Sequence, residues 1–342
     1  MLGRLEALSN LHGVSGSEHA VRAYIRKELE PLGLSMKTDG MGNLYVHKPG
    51  AGRRIMACAH MDEVGMLVTK IEDNGMLRYD EAGLDARVCV SKRVVIGKDG
   101  LAGVIGAKAI HQQTREEFER ALKHDELYID IGAKDKQDAQ KYVKVGDYVS
   151  FDTKFAYFGD GLVSGKALDD RIGCAILMEL LKSDYECDFT AVFTVQEENG
   201  LRGANAAAYN VRPELCIVLE GTTANDMPEV PGHKSVTRVG MGPAISFMDR
   251  TTMVRPFMFD ALRALAREHN IPWQLRQGTA GGTDGGVIHK ALAGCISGGI
   301  SVPCRYIHSP VSVASVSDIE NAHRLADTFF KTKKFDEVLS HV

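Results

Sequence analysis

The chain has 342 residues, 44% hydrophobic and 25% charged, the balance of a globular protein long enough for about two domains and a core that needs no disulfide. A net charge of −4 with no basic stripe argues against a nucleic-acid partner, and the longest apolar block, 172–181, contains Glu179 and is far short of the roughly 20 residues that span a bilayer. Seven scattered cysteines without a Cys-x-x-Cys, and Arg4 and Glu6 ahead of any apolar run, predict no signal peptide and a reducing compartment, the cytoplasm.

Ser15-Gly16-Ser17-Glu18 reads as a capping box, ahead of a helix in which Val21, Tyr24, Ile25, Leu29 and Leu32 recur at helical spacing. Pro31 and Gly33 end that helix. Strands are predicted over 43–47 and 54–59; the second is apolar on both faces and belongs in the middle of a sheet. It runs into Ala59-His60-Met61-Asp62-Glu63-Val64-Gly65. In an extended chain His-x-Asp sets an imidazole and a carboxylate on one side. That suits a metal ligand, His60, with an outer partner, Asp62, although a hydrogen-bonded structural histidine fits the same pattern.

From Gly65 the texture changes. Short β-type runs at 66–71, 87–90, 94–96, 127–131 and 148–151 alternate with hairpin signals at Asn74-Gly75 and Asp99-Gly100. A polar helix over 114–123 interrupts them, with Glu116, Glu117 and Glu119 on a solvated face. The pattern predicts a β-rich domain, 65–160, inserted into a larger one formed by 1–64 and 161–342.

Past the insertion, Asp169 and Asp170 open an apolar helix, as caps and dipole complements, as a stiff ionised ligand, or as both. A strand over 189–195 stops at Glu197-Glu198, two adjacent anions that repel unless a cation sits beside them. Glu197 reads as a proton-transfer base and Glu198 as a metal ligand; the plainer alternative is a solvated pair. A helix from Gly203 leads to a strand over 215–219, which ends at Glu220. Residues 255–268 form an amphipathic helix with Phe257, Leu262, Leu265 and Ala266 inward. The loop from Gly278 to Gly286 lacks the lysine of a phosphate-binding loop, so close backbone approach to a substrate at Gly282, Thr283 and Asp284 is the better reading. A strand over 294–302 precedes Tyr306-Ile307-His308-Ser309, and a helix over 316–330 follows, with Ile319, Leu325, Phe329 and Phe330 inward. The alternation predicts an α/β fold, a mainly parallel central sheet with helices on both faces.

His60, Asp169, Glu197-Glu198, Glu220 and His308 each fall just past a predicted strand or at a helix start, where open α/β sheets gather ligands. Two histidines and three carboxylates, one shared, make two neighbouring sites for zinc-like or cobalt-like ions, with manganese a third candidate. Two such ions about 3.5–4 Å apart lower the pKa of a water towards about 7 and hold the attacking and carbonyl oxygens. Glu197 then takes the water's proton and passes it to the leaving amine, help typically worth about 10²–10⁴ in rate.

At Ala59-His60-Met61-Asp62-Glu63-Val64-Gly65, Ala167-Leu168-Asp169-Asp170-Arg171-Ile172-Gly173, Val195-Gln196-Glu197-Glu198-Asn199-Gly200, Gly282-Thr283-Asp284 and Tyr306-Ile307-His308-Ser309 the chain resembles the tetrahedral-aminopeptidase family of glutamyl and deblocking aminopeptidases. The resemblance spans nearly the whole chain. It implies a zinc-exopeptidase-like domain with a PDZ-like insert, and dimers assembled into a hollow dodecamer that admits only short peptides. It makes His60, bridging Asp169, Glu198, Glu220 and His308 the ligands of two divalent ions, Glu197 the base and Asp62 its support. One position departs: the family most often has Asp where this chain has Glu220, and in distant di-metal exopeptidases Glu there accompanies carboxypeptidase activity.

The leading expectation is a cytoplasmic metal-dependent aminopeptidase acting on short peptides. A related carboxypeptidase or amidohydrolase is the nearest alternative. Relatives have also been labelled endoglucanases, a chemistry that needs paired carboxylates without metal. A non-catalytic scaffold that binds through the β-rich insert is a fourth reading.

Overall fold

A computed structural model describes residues 1–342. After helices Leu2–Asn10 and His19–Leu29 come β1 (Ser35–Thr38), β2 (Leu44–Lys48) and β3 (Arg54–His60). Next are β4 (Gly65–Ile71), β5 (Leu77–Ala82), β6 (Arg93–Ile96), β7 (Leu101–Gly106), β8 (Tyr128–Asp130) and β9 (Tyr148–Phe151). The remaining strands are β10 (Ala156–Phe158), β11 (Leu162–Gly165), β12 (Asp188–Thr194), β13 (Leu215–Ala224), β14 (Ala244–Ile245), β15 (Gln274–Leu275), β16 (Ile296–Arg305) and β17 (Ser312–Ser315).

The central sheet runs β1-β2-β12-β3-β13-β16-β17-β11-β10. Along this path parallel pairing is confined to the middle, β12 with β3, β3 with β13 and β13 with β16, and both flanks are antiparallel; off it, the short β14 pairs antiparallel with β16 and parallel with β15. The sheet is therefore mixed rather than mainly parallel, and the connections say why. Helix Arg202–Val211 carries the chain from β12 to β13, the kind of crossover that lets both run parallel to β3 between them. Tight turns join β1 to β2 and β10 to β11, and a tight turn reverses the chain. At the first of these Asp39 Oδ1 accepts the amides of Met41, Gly42 and Asn43 at 2.9–3.0 Å.

β3 lies between β12 and β13, as its two apolar faces predict. Ile55, Ala57 and Ala59 join one core with helices Leu168–Leu180, Pro256–Glu268 and Val316–Lys331. Met56 and Cys58 point the other way, against Ala204, Ala207 and Ala208 of helix Arg202–Val211 and Ile288. By the same alternation His60, last in the strand, falls on the second face.

Strands β4-β5-β8-β7-β6-β9 close into a barrel with its own core, including Val68, Leu77, Ile105, Ile129 and Val149. Both predicted hairpin turns are present, but their far strands, β5 and β7, do not stand out in the sequence because charged residues and glycines interrupt them. Residues 87–90 are not a strand. Asp85 accepts the amide of Arg87 at 2.9 Å and starts a short helix, Ala86–Cys89. The helix expected over 114–123 shortens to Arg115–Glu119, behind a Thr114–Glu117 capping box. No helix is long and apolar enough to cross a membrane.

Candidate active site

Thr194, the last residue of β12, pairs with His60, the last of β3, so Glu197 and Glu198 emerge beside that imidazole. Glu220 lies within β13 rather than past its end. Gly221, Thr222 and Thr223 look like a turn in sequence, yet they continue the ladder with β16 as far as Ala224. Asp169 and Asp170 precede the regular part of helix Leu168–Leu180 with non-helical dihedrals, across a cis peptide. The two roles open to the pair divide between them. Asp170 Oδ1 accepts the amide of Gly173 at 2.8 Å, as a cap does, and its Oδ2 accepts that of His60 at 3.1 Å. Asp169 faces the strand ends, where its Oδ1 accepts the amide of Gly221 at 3.2 Å.

Two groups of candidate ligands result: His60, Asp169 and Glu220, and Asp169, Glu198 and His308. Within each, the ligand atoms lie within 4.8 Å of one another, and Asp169 belongs to both. His60 Nε2 is 3.4 Å from Asp169 Oδ1. His308 Nε2 is 3.2 Å from Glu198 Oε2 and 3.8 Å from Asp169 Oδ2. Glu197 is in neither group.

The donor atoms fit a cation. His60 Nε2 and Glu220 Oε2 are buried with no hydrogen-bond partner, and an unpaired buried polar atom costs about 1–3 kcal/mol. Burial pushes the carboxyls of Glu197, Glu198 and Glu220 well above the usual range, and the neighbouring carboxylates push them further. Burial opposes charge on His60, but its contacts with Asp169 and Asp62 outweigh this and raise its pKa. A divalent ion bound by imidazole and carboxylate relieves this crowding of like charge.

Asp62 fixes the arrangement. It is fully buried; Oδ1 accepts the amide of Glu197 at 3.0 Å, and Oδ2 accepts the amide of Glu198 at 3.2 Å and the Ser15 hydroxyl at 2.5 Å. His60 Nδ1 lies 3.1 Å from the Asp62 carbonyl and 3.5 Å from Oδ1, which turns Nε2 towards Asp169. The capping box expected at Ser15 is not formed, because helix His19–Leu29 starts behind Glu18, which makes no side-chain cap bond, and the Ser15 hydroxyl serves Asp62 instead. Glu18 instead accepts from Gly16 at 2.6 Å and from Gln196, the residue before Glu197, at 3.2 Å.

The family model for the M42 glutamyl aminopeptidases matches residues 42–325. The chain belongs to that family. It is 41% identical over 330 residues, 95% of this chain and 97% of the other, to a putative aminopeptidase of Acetivibrio thermocellus. It is also similar to the TET aminopeptidase of a marine-sediment Thaumarchaeota archaeon, at TM-score 0.94, 33% identity and 98% of each chain. Likewise it resembles the TET1 peptidase of Pyrococcus horikoshii, which assembles into a tetrahedron or a large octahedral shell, at TM-score 0.87, 30% identity, 96% of this chain and 99% of that one. This M42 chain is an aminopeptidase, a peptide hydrolase of a metal-dependent family.

Three further residues of this M42 site carry no legible signal in the sequence. Gly83, at the end of the β5 hairpin, brings the barrel to the centre. A Cβ there would lie 3.4 Å from Glu198 Oε2 and 3.5 Å from His308 Nδ1. Gly221 leaves room for Asp169, whose Oδ1 would be 2.9 Å from a Cβ at that position. Thr194 donates to Asp284 Oδ2 at 2.6 Å. In the glycine-rich loop Gly282 and Thr283 are partly exposed, while Asp284 is buried, its Oδ1 has no partner, and burial pushes its carboxyl up to about 6. A cleft of about 790 Å³ between residues 10–20 and the barrel contains none of the candidate ligands.

Proposed function

We propose that the M42 chain holds two divalent ions, zinc or cobalt, with manganese a third candidate, and removes N-terminal residues from short peptides. His60 and Glu220 would hold one ion, Glu198 and His308 the other, and Asp169 would bridge them. The observation that carries this reading is that Asp169 alone belongs to both ligand groups. When bound, such ions polarise a carbonyl and acidify water.

The protein's own part is orientation and proton transfer. Asp62 sets the His60 ring and, through the Glu197 amide, the position of the base. Glu197 takes the proton of the attacking water and delivers it to the leaving amine nitrogen. Gly282, Thr283 and Asp284 would form a substrate wall, with Thr283 lining a cavity that reaches Glu220.

We divide the chain into a catalytic unit and an inserted PDZ-like unit that starts at about 65; its far boundary falls ahead of Phe155 rather than at 160, because Phe155 joins the catalytic core and β10 pairs with β11 in the central sheet. Two separate hydrophobic cores support the division. The assembly of the Pyrococcus horikoshii TET1 peptidase supports a homo-oligomer here, with a dodecamer as the expected form. Seven thiols, none in a disulfide, support a cytoplasmic enzyme.

Metal analysis tests the bridge. Wild type should bind two ions per chain, Glu220→Gln and His308→Ala about one each, and Asp169→Asn neither tightly. Retention of both ions by Asp169→Asn would remove the bridging role.

A further inference from the structure

Where β12 ends, at Thr194, the sheet no longer supplies acceptors, and side chains from elsewhere accept the next four amides in turn. Asn43 Oδ1 takes that of Val195 at 3.0 Å, Glu18 Oε1 that of Gln196 at 3.2 Å, and the two oxygens of Asp62 those of Glu197 and Glu198 at 3.0 and 3.2 Å. All three accepting side chains are buried. Gln196 is the residue that most needs such a hold. Its φ is +55, left-handed backbone that is unfavourable for any residue with a Cβ, and its carbonyl is met by the amide of Arg202 at 3.2 Å. Glu197 follows directly, so the direction of that side chain depends on a conformation its predecessor does not prefer.

Glu18 has no other evident task. It is 4% exposed, has no neighbouring cation, and makes no cap bond to the helix it precedes. Gly16 and Gln196 donate to the same oxygen, Oε1, at 2.6 and 3.2 Å. The segment that carries it is fastened at its root. Glu63 Oε1 accepts the amide of Gly13 at 2.9 Å, the Gly13 carbonyl accepts that of Glu63 at 3.0 Å, and Lys166 Nζ reaches both oxygens of Glu63 at 2.8 and 2.9 Å. Between this anchor and Glu18, Ser15 donates to Asp62. One short segment thus touches both supports of the Glu197 turn.

We propose that Glu18 is a positioning residue for proton transfer: its Oε1 holds Gln196 in the left-handed turn, and that turn aims Glu197. The proposal rests on the reading of Glu197 as the base. What the turn needs from residue 18 is an acceptor at the right reach rather than a charge, since Asn43, a neutral amide, serves Val195 in the same way.

Two substitutions separate reach from charge. Glu18→Asp keeps the charge and draws the acceptor back by one methylene; Glu18→Gln keeps the reach and removes the charge. The assay uses metal-reconstituted full-length enzyme and whichever of Ala-Ala, Leu-Ala, Lys-Ala and Glu-Ala the wild type cleaves fastest. Glu18→Asp should lower kcat by about 10–100-fold with KM little changed, and Glu18→Gln should recover most of that loss. Hydrogen exchange reads the turn without turnover: the amides of Gln196 and Glu197 should exchange about tenfold faster in Glu18→Asp and not in Glu18→Gln. Wild-type kcat in Glu18→Asp, a change confined to KM, or equal losses in the two variants would overturn the proposal. Faster exchange without a fall in kcat would overturn it too, leaving Glu18 a structural contact. Glu197→Gln assayed alongside tells the two readings apart. Full turnover there removes the base and the proposal with it, whereas an inactive Glu197→Gln beside an intact Glu18→Asp counts against Glu18 alone.

Discussion

The buried carboxylate of Asp62 accepts the backbone amide of Glu197 at 3.0 Å while its own backbone carbonyl meets His60 Nδ1 at 3.1 Å. One residue thus sets both the direction of an imidazole and the position of the proposed base. A shift of the Glu197 amide therefore bears on the residue that orients His60.

Asp62→Asn preserves shape but replaces one acceptor oxygen with a donor, so an amide of the Glu197-Glu198 pair faces an N–H. The variant should lose about 10–100-fold in metal affinity or activity. It should also lose about 1–3 kcal/mol of stability, from the donor left without a partner. Metal titration and denaturant melts check both. Wild-type values in each would reduce Asp62 to a spectator.

Gly83 has φ +77, and a Cβ there would also come within 2.9 Å of Val64 Cγ1. Gly83→Ala should cost about 1–2 kcal/mol for the left-handed backbone. Because the displaced atoms abut Glu198 and His308, binding of one ion should weaken while the other stays close to wild type. Calorimetric titration distinguishes the two steps; equal weakening of both would place the strain elsewhere.

These two residues mark where the sequence was and was not legible. The proposed metal ligands announce themselves, because His60, Glu198, Glu220 and His308 come at or just past the ends of apolar runs that read as buried strands, and Asp169 opens an apolar helix. Asp62 is legible for the same reason, two positions along an extended chain. Gly83 and Ser15 are not, since a glycine in a hairpin and a serine before a helix have commoner local explanations, and only tertiary placement overrides them. The same limit hid β5 and β7: barrel closure supplies the pairing that their interrupted patterns do not advertise. Sheet direction was legible at the middle, where helices connect strands, and not at the flanks, where short turns do.

Asp284 gives a pH dependence. Its folded pKa of about 6 stands above an ordinary value of 3.8, because burial outweighs the Thr194 hydrogen bond. A carboxyl raised in this way contributes stability that is complete below pH 3.8 and lost as pH rises through about 6. Asp284→Asn retains an acceptor for Thr194 and removes the titration. The gap in stability between variant and wild type should therefore move in the variant's favour from pH 4 to pH 8, by about 3 kcal/mol at most. Melts at the two pH values measure it; a gap independent of pH would contradict the raised carboxyl.

The division of labour between Glu197 and Glu198 is the centre of the account. Glu197→Gln, purified with the metal restored, should keep two ions per chain by elemental analysis and lose about 10²–10⁴ in kcat on a dipeptide cleaved by wild type. Full turnover with both ions in place would contradict it.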